Sequence, residues 1–222
     1  MKNKFYTCKN DRAMKYILLN KNNWDILEAI LEEVIGKKLK VIEVRNFDLL
    51  KEKNYKKYYL KAQSIIVKKS DSDSVMEIVL NSRKKDFNRK EDVLYPFKAF
   101  QQYAIKVNGE YKYLEKVYMI DLAYGLDSDY KTKGKYLFQN EKGEILTENF
   151  EIDLINMSKI INMYEDNNNE SKKYKYLIML DLDDNSLENY LKNDSIAEKY
   201  KREIKKLNND PNFRNLVSYD EN

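Results

Sequence analysis

The fold is decided by residues 58–82, YYLKAQSIIVKKSDSDSVMEIVLNS, which contain two apolar runs separated by a polar segment. The runs SIIV and VMEIVL are rich in β-branched residues, which favour strands. The serines and aspartates at 70–74 have the composition of a turn. The stretch therefore predicts a β-hairpin. Its second strand carries one acid, Glu77, and ends on Asn81 and Ser82.

The segments around this hairpin predict alternating helices and strands. Apolar residues recur at helical spacing from Trp24 to Ile35, and Gly36 is expected to end that helix. A second helical pattern runs from about Glu91 to Val107, with Pro96 inside it. Further strands are expected at 39–47 and 116–125, and a second hairpin at 135–157.

The C-terminal part of the sequence is less regular. A polar loop is predicted at 165–173, and the apolar run YLIMLDLDD (176–184) predicts a strand. Short helices follow, one of them with Asp194 in position to cap its N-terminus. The order of elements predicts one α/β domain over residues 1–164, with a C-terminal strand and helical extension, 174–222, packed on the same domain.

Composition excludes several classes of enzyme. The chain has 222 residues and no histidine, so Ser-His-Asp, Cys-His and His-ligated zinc sites are absent. Its five glycines form no phosphate-binding loop. The single Cys8 fits a reducing compartment, and no stretch is apolar enough for a secretion signal or a membrane span. We therefore expect a cytoplasmic protein without membrane contacts. A net charge of only +4 does not by itself demand nucleic acid.

Four segments carry a family resemblance when they are taken together in order. These segments are NDRAMKYIL (10–18), NGEYKYLEKVYMIDLAYG (108–125), GEILTENFEIDLINMSKI (143–160) and IAEKYKREIKKLNNDPNFRNLVSY (196–219). They resemble the PD-(D/E)XK nuclease family transposases, also called recombination-promoting nucleases. The resemblance covers most of the chain. It implies a restriction-endonuclease-like core over residues 1–164, with a mixed sheet flanked by helices.

The resemblance also implies where a metal site would stand. In this family an Asp on the first strand of a hairpin and a Glu on the second hold a divalent cation, and a Gln follows the Glu by two residues. These positions fall on Ser64, Val79 and Asn81, and none of the three keeps the chemistry. Mg²⁺ prefers carboxylate oxygens, so this pattern predicts a degenerate site without a metal.

Three acids are candidate substitutes for the missing carboxylates. Glu77 shares a strand face with Val79; alternatively, it lies at an exposed strand start and pairs with Lys68 or Lys69. Asp11 is expected to cap the first helix, although it could instead lend a carboxylate to the hairpin. Asp121 interrupts an apolar strand, as either an active-site acid or a hydrogen-bonded structural acid.

A basic cluster follows the hairpin, in the segment SRKKDFNRK (82–90). It predicts either an edge that binds phosphate groups of nucleic acid or a partner, or a solvated run of charges. Its cationic residues are Arg83, Lys84, Lys85, Arg89 and Lys90. The 19 tyrosines and 8 phenylalanines offer stacking surfaces for single strands, or simply fill the core and surface.

These observations lead to a functional expectation with two alternatives. We expect a catalytically degenerate, nuclease-like protein that binds a macromolecular partner, protein or nucleic acid, without a cofactor. Kinship with mobile elements suggests a phage or transposon role, for example as an anti-CRISPR-like inhibitor of a host defence nuclease. The first alternative is an active Mg²⁺-dependent DNA endonuclease that uses Glu77 as a migrated acid. The second is a regulatory subunit of an active paralogue. The sequence leaves the oligomeric state open.

Overall fold

The structure is a computed structural model that describes residues 4–46, 63–69, 72–83, 100–102, 104–126 and 129–220. The chain divides into two compact units. One, which we call the helical unit, consists of Met1–Lys37, Ser82–Lys84 and Met157–Asn222. The other, which we call the strand unit, consists of Lys38–Asn81 and Lys85–Asn156. The predicted domain boundaries, 1–164 and 174–222, stay predictions.

The helical unit is built from short helices drawn from both ends of the sequence. They are α1 (Asp11–Leu18), α2 (Trp24–Ile35), α3 (Met157–Glu165), α4 (Lys175–Met179), α5 (Asp184–Asn189), α6 (Ser195–Asn208) and α7 (Pro211–Asp220), with 3₁₀ turns at Lys21–Asn23 and Asn169–Tyr174. Among the described residues, no helix has both the length and the apolar character needed to cross a membrane.

Local sequence signals explain where these helices begin and end. The Gly36 backbone has φ +76° and terminates α2, as predicted, because glycine adopts this left-handed conformation without strain. The Asp194 carboxylate accepts the N–H groups of Ile196 and Ala197 at the start of α6, which confirms the predicted cap.

The predicted loop and strand in the C-terminal part are wrong. Residues 169–174 form a 3₁₀ turn, which Asn168 begins by accepting the N–H of Glu170. The predicted strand at 176–184 starts with helix α4 instead. The carboxylate of Glu33 accepts the N–H groups of Tyr176 and Leu177 at 3.0 and 2.9 Å, which satisfies donors that a helix start leaves open. A short apolar run does not distinguish a helix from a strand by itself.

The strand unit is a mixed sheet. Within the described residues seven strands form it: β1 (Leu39–Asn46), β2 (Gln63–Lys69), β3 (Val75–Arg83), β4 (Ala104–Val107), β5 (Glu110–Ala123), β6 (Lys133–Gln139) and β7 (Ile145–Asn156). The strand order is β1-β2-β3-β5-β7-β6, and β4 pairs with β5. Strands β5 and β7 are parallel, whereas the β1–β2, β2–β3, β4–β5 and β6–β7 pairs are antiparallel. Both predicted hairpins and the α/β class with a mixed sheet are confirmed; a restriction-endonuclease-like core stays a prediction.

The long helix predicted to reach Val107 is wrong at its C-terminal end. Ala104–Val107 form strand β4, which turns through Asn108 and Gly109 into β5. These two residues have φ +49° and +90°, the signs that a two-residue type I′ hairpin turn requires. The turn therefore overrides the helical spacing of the preceding apolar residues. Residues 91–99 of the predicted helix lie outside the described residues.

One face of the sheet holds an apolar core. Strands β2, β3, β4, β5 and β7 all contribute to it. The buried members are Ile66, Val75, Val79, Ile105, Val107, Leu114, Val117 and Phe150. On β2 and β3, alternation and the register place Ile66, Val75 and Val79 on one side of the sheet. The hairpin that carries the candidate site is therefore fixed by packing on this face.

Candidate functional site

The register of the β2–β3 hairpin sets the geometry of the candidate site. Ser64 on β2 stands directly opposite Val79 on β3, and Ile66 stands opposite Glu77. Because alternate residues of a strand share a face, Glu77, Val79 and Asn81 lie on the same side of β3. The positions at which the resemblance places two carboxylates therefore carry a hydroxyl and a branched hydrocarbon.

Ser64 and Glu77 are joined by a buried hydrogen bond. The Ser64 hydroxyl donates to Oε1 of Glu77 at 2.5 Å, and the Glu77 residue is only 3% exposed. The expectation of an exposed strand start at Glu77 is wrong, because β2 flanks β3 on one side and β5 on the other. Lys69 forms an ion pair with the carboxylate of Glu115. In the hairpin register, Lys68 stands opposite Val75, and Glu77 stands opposite Ile66.

Asn81 and Asp121 form a second polar pair within the strand unit. The side-chain amide of Asn81 donates to Oδ1 of Asp121 at 3.0 Å. Asp121 is fully buried near the C-terminal end of β5, where its register partner on the parallel strand β7 is Leu154. The structure thus places Asp121 on the face of the sheet that carries Asn81, and it ties the carboxylate to a neutral amide.

Asp11 does not cap helix α1. The cap is Asn10, whose side-chain oxygen accepts the N–H groups of Arg12 and Ala13, so the prediction for Asp11 is wrong by one residue. Asp11 instead accepts the backbone N–H of Ser82 at 3.1 Å through Oδ1, and its Oδ2 pairs with Lys15 at 2.7 Å. Its carboxylate therefore holds the end of β3 within the helical unit.

Of the five cationic residues in the predicted basic cluster, the structure describes only the first, Arg83. Arg83 is the last residue of β3. Its other members, Lys84, Lys85, Arg89 and Lys90, lie outside the described residues. The assignment of this segment to phosphate or partner binding therefore stays a prediction.

The chemistry of the hairpin face follows from these contacts. Its polar groups are the Ser64 hydroxyl, the Glu77 carboxylate and the Asn81 amide, and the bulk of Val79 lies among them in the apolar core. A hydroxyl and an amide are weak ligands for Mg²⁺ compared with carboxylates. Among the described residues, no group of three or more acidic, cysteine or histidine side chains is placed to hold a metal ion.

A second cluster of charges was missed in the sequence. Two acids of β7 bind three lysines of β5 and β6, and we call this set the lysine–carboxylate network. Glu151 pairs with Lys116 at 2.6 Å and with Lys135 at 2.8 Å, and Asp153 pairs with Lys133 at 2.8 Å. The sequence carried one signal for this network. The two acids on β7 and two of the lysines on β6 each recur at every second residue, which is the period of a strand.

The network lies on the opposite face of the sheet from the hairpin cluster. Tyr118 and Ile120 of β5 are the register partners of Glu151 and Asp153, whereas Asp121 points to the other side by alternation. Lys116 also lies 4.6 Å from the centre of the Tyr118 ring. The two acids are buried, while Lys135 reaches solvent. This face therefore stabilises its buried carboxylates with lysine ammonium groups.

Burial and these contacts shift the pKa values of the two acids of the network in opposite directions. Burial raises the pKa of Asp153 to about 6, and only the ammonium of Lys133 limits the rise. Burial also acts to raise the pKa of Glu151, but hydrogen bonds from Lys116 and Lys135 outweigh it and lower the pKa. The pKa of Tyr118 rises to about 12 through burial and the neighbouring Glu151.

Comparisons of the chain with protein-family models, with curated proteins and with solved structures found no match.

Proposed function

We propose that this chain is a catalytically degenerate, nuclease-like protein that acts by binding a macromolecular partner. One observation carries the proposal: Ser64 faces Val79 at the two positions where the resemblance to PD-(D/E)XK nucleases would place carboxylates. The Ser64 hydroxyl donates a hydrogen bond to Glu77, and Val79 packs in the core. Neither side chain supplies the charge that a catalytic Mg²⁺ needs, so the protein works by occupancy of its partner.

The biological setting of this binding follows from the resemblance alone. Proteins of mobile elements meet the defence systems of their hosts. The proposed partner is accordingly a protein or nucleic acid of such a system, for example a nucleic-acid-guided nuclease that the chain inhibits.

One observation favours a second function, a Mg²⁺-dependent DNA endonuclease with migrated acids. Glu77 and Asp121 are buried carboxylates on one face of neighbouring strands, and Asn81 contacts the second of them. In this alternative the two carboxylates hold the ion that activates water for attack on a phosphodiester.

Cleavage of supercoiled plasmid separates the two functions. The wild-type protein is incubated with Mg²⁺ and with Mn²⁺, beside Glu77→Gln, Asp121→Asn and the control Asp73→Asn, which changes an exposed acid of the β2–β3 turn. The proposed function predicts intact plasmid throughout. Metal-dependent nicking by the wild type and the control that is lost in Glu77→Gln would establish the endonuclease and reject our proposal.

A further inference from the structure

The turn that joins β4 to β5 holds the one Asn-Gly pair of the sequence, Asn108 and Gly109. Val107 and Glu110 face each other as the last register pair of the hairpin, so the two turn residues lie beyond the strand ladder. Both turn residues are exposed. Because a two-residue turn leaves its central N–H groups outside the strand pairing, the backbone nitrogen of Gly109 is accessible to solvent.

This pair has a chemical property that other asparagines of the chain lack. Asparagine is thermolabile because the backbone nitrogen of the next residue can attack its side-chain carbonyl carbon. A side chain on that next residue shields the nitrogen, and glycine has none. A Cβ atom built on Gly109 would meet no other atom within 4 Å. The surrounding structure therefore leaves the nitrogen uncrowded as well.

Three other exposed asparagines in the described part of the chain provide internal comparisons. Asn167 and Asn193 share the left-handed backbone of Asn108, with φ +55° and +70°, but each is followed by a residue that carries a side chain. Asn140 lies in the β6–β7 turn, where its side-chain oxygen accepts two backbone N–H groups at 3.0 Å. Exposure and a left-handed backbone recur in the chain, whereas the following glycine belongs to Asn108.

We propose that Asn108 is a deamidation site in the folded protein, and that its conversion to isoaspartate loosens β4 from the sheet. The inference goes beyond the proposed function and does not depend on it. The site requires no enzyme, since water and hydroxide are the other reactants.

The reaction proceeds in two steps. Hydroxide removes the proton of the Gly109 nitrogen, which bonds to the side-chain carbonyl carbon of Asn108. The bond from that carbon to the amide nitrogen breaks, and ammonia leaves with a proton taken from water. The resulting succinimide ring then takes up one water molecule. Opening at the side-chain carbonyl gives aspartate, and opening at the backbone carbonyl gives isoaspartate. The net change exchanges an amide for an acid, with no oxidation.

The two products have different consequences for the hairpin. Aspartate keeps the main chain as it was, and the left-handed positions of a type I′ turn accept it. Isoaspartate routes the main chain through the former side chain and adds a methylene group to the turn. Because the length of the turn sets the register of a hairpin, the longer turn no longer fits the pairing of Val107 with Glu110.

Strand β4 is short enough for this mismatch to matter. It has only four residues, and two of them, Ile105 and Val107, are buried in the apolar core. A change of register would turn these side chains towards the other face of the sheet. Arg45 of β1 donates a hydrogen bond to the backbone carbonyl of Lys106, so one attachment outside the hairpin remains. We therefore expect β4 to loosen rather than to separate from the sheet.

Peptide mapping by mass spectrometry tests the first part of the inference. The full chain is incubated at physiological temperature and at neutral and mildly alkaline pH, until most of the wild type has reacted. We expect the mass change of deamidation at Asn108, faster at the higher pH, while Asn140, Asn167 and Asn193 stay intact. In Gly109→Asp the reaction should be lost over the same period, because a side chain then shields the nitrogen and the turn position still accepts aspartate.

Hydrogen exchange on the separated products tests the second part. In the isoaspartate product the amide protons of residues 105–107 should lose most of their protection. The matched control is Asn108→Asp, which introduces the same charge without the extra methylene group and should keep the protection of the wild type. An intact Asn108 in the wild type, or equal rates in wild type and Gly109→Asp, would overturn the inference. Unchanged protection of β4 in the isoaspartate product would overturn it too.

Discussion

The two polar clusters of the strand unit hold buried carboxylates in different ways. On the hairpin face, the neutral hydroxyl of Ser64 donates to Glu77, and a neutral amide donates to Asp121. On the opposite face, lysine ammonium groups bind both Glu151 and Asp153. Attraction between full charges compensates burial more strongly than a neutral hydrogen bond does, although each arrangement loses stability when one partner is removed.

The difference teaches where function can lie on this sheet. The acids of the lysine–carboxylate network are engaged with cations, which compete with any metal ion for the same oxygens. The acids of the hairpin face lie beside the apolar core that contains Val79. Both clusters are therefore explained by the stability of the sheet.

The largest expected effect comes from restoring the missing acid in Val79→Glu. Val79 is buried among hydrocarbon side chains, so a carboxylate there should cost about 4 kcal/mol of the free energy of unfolding, or prevent folding. Urea unfolding measures it. The control Ile145→Glu changes a side chain that is 46% exposed and should cost less than about 0.5 kcal/mol. A Val79→Glu protein as stable as the control would show that this face accommodates charge.

Removing one ammonium from the network tests the opposite face. Lys133→Met leaves the fully buried Asp153 without the cation at 2.8 Å and should cost about 3 kcal/mol at neutral pH. Lys112→Met is the control, because its partner Glu110 is largely exposed, and it should cost less than about 0.5 kcal/mol. Equal losses in the two variants, by urea unfolding, would remove the distinction between the faces.

The pH dependence of stability isolates Asp153. Because folding raises its pKa from 3.8 to about 6, the protonated form contributes stability that is full below the unfolded pKa and is lost as the pH rises through the folded one. The loss should be on the order of 2 kcal/mol between about pH 4.5 and 6.5. Burial also raises the pKa of Glu33 to about 7, so the stability that Glu33 contributes is likewise lost as the pH rises. Glu33 is present in both the wild type and the variant Asp153→Asn.

The comparison of wild type with Asp153→Asn therefore cancels the contribution of Glu33. Thermal unfolding over this pH range should show a flatter profile for the variant than for the wild type. Glu151 acts in the other direction, since its lowered pKa contributes stability that is lost in acid, near the lower end of the range. Parallel profiles for the two proteins would contradict the assigned pKa of Asp153.

The smallest expected effect concerns the hydrogen bond between Ser64 and Glu77. Ser64→Ala should cost about 1.5 kcal/mol, the lower end of the range for a hydrogen bond to a carboxylate. A double-mutant cycle with Glu77→Met measures the coupling, because methionine removes both carboxylate oxygens and keeps a similar side-chain length. Additive effects of the two substitutions would mean that this bond does not hold the hairpin.

The elements with strong local signals were predictable from the sequence. The β2–β3 hairpin, the parallel-sheet strand at 116–125 and the end of α2 at Gly36 follow from β-branched runs, turn composition and a glycine stop. Strand β4 was not predictable in this way. The apolar residues there have helical spacing, but the type I′ turn at Asn108 and Gly109 pairs the segment with β5 as a strand. The apolar run at 177–179 was ambiguous, and Glu33, distant in sequence, settled it as a helix.

The candidate site was predictable only in part. The sequence places Ser64, Glu77 and Val79 on one hairpin, but the bond between the first two depends on their diagonal position across the strand register. The cap at Asn10 rather than Asp11 rests on one residue of backbone geometry. The lysine–carboxylate network requires the β5-β7-β6 strand order, which crosses over in the sequence and which no local pattern specifies.

Calorimetric titration of Mg²⁺ and Mn²⁺ into the wild-type protein tests the central claim most directly. If the hairpin has lost its metal site, as the positions of Ser64 and Val79 indicate, neither ion should give a saturable binding heat at concentrations up to about 1 mM. This concentration is well above the dissociation constants of tight cation sites. A single site with one bound ion per chain that disappears in Glu77→Gln, and persists in the control Asp73→Asn, would contradict the account.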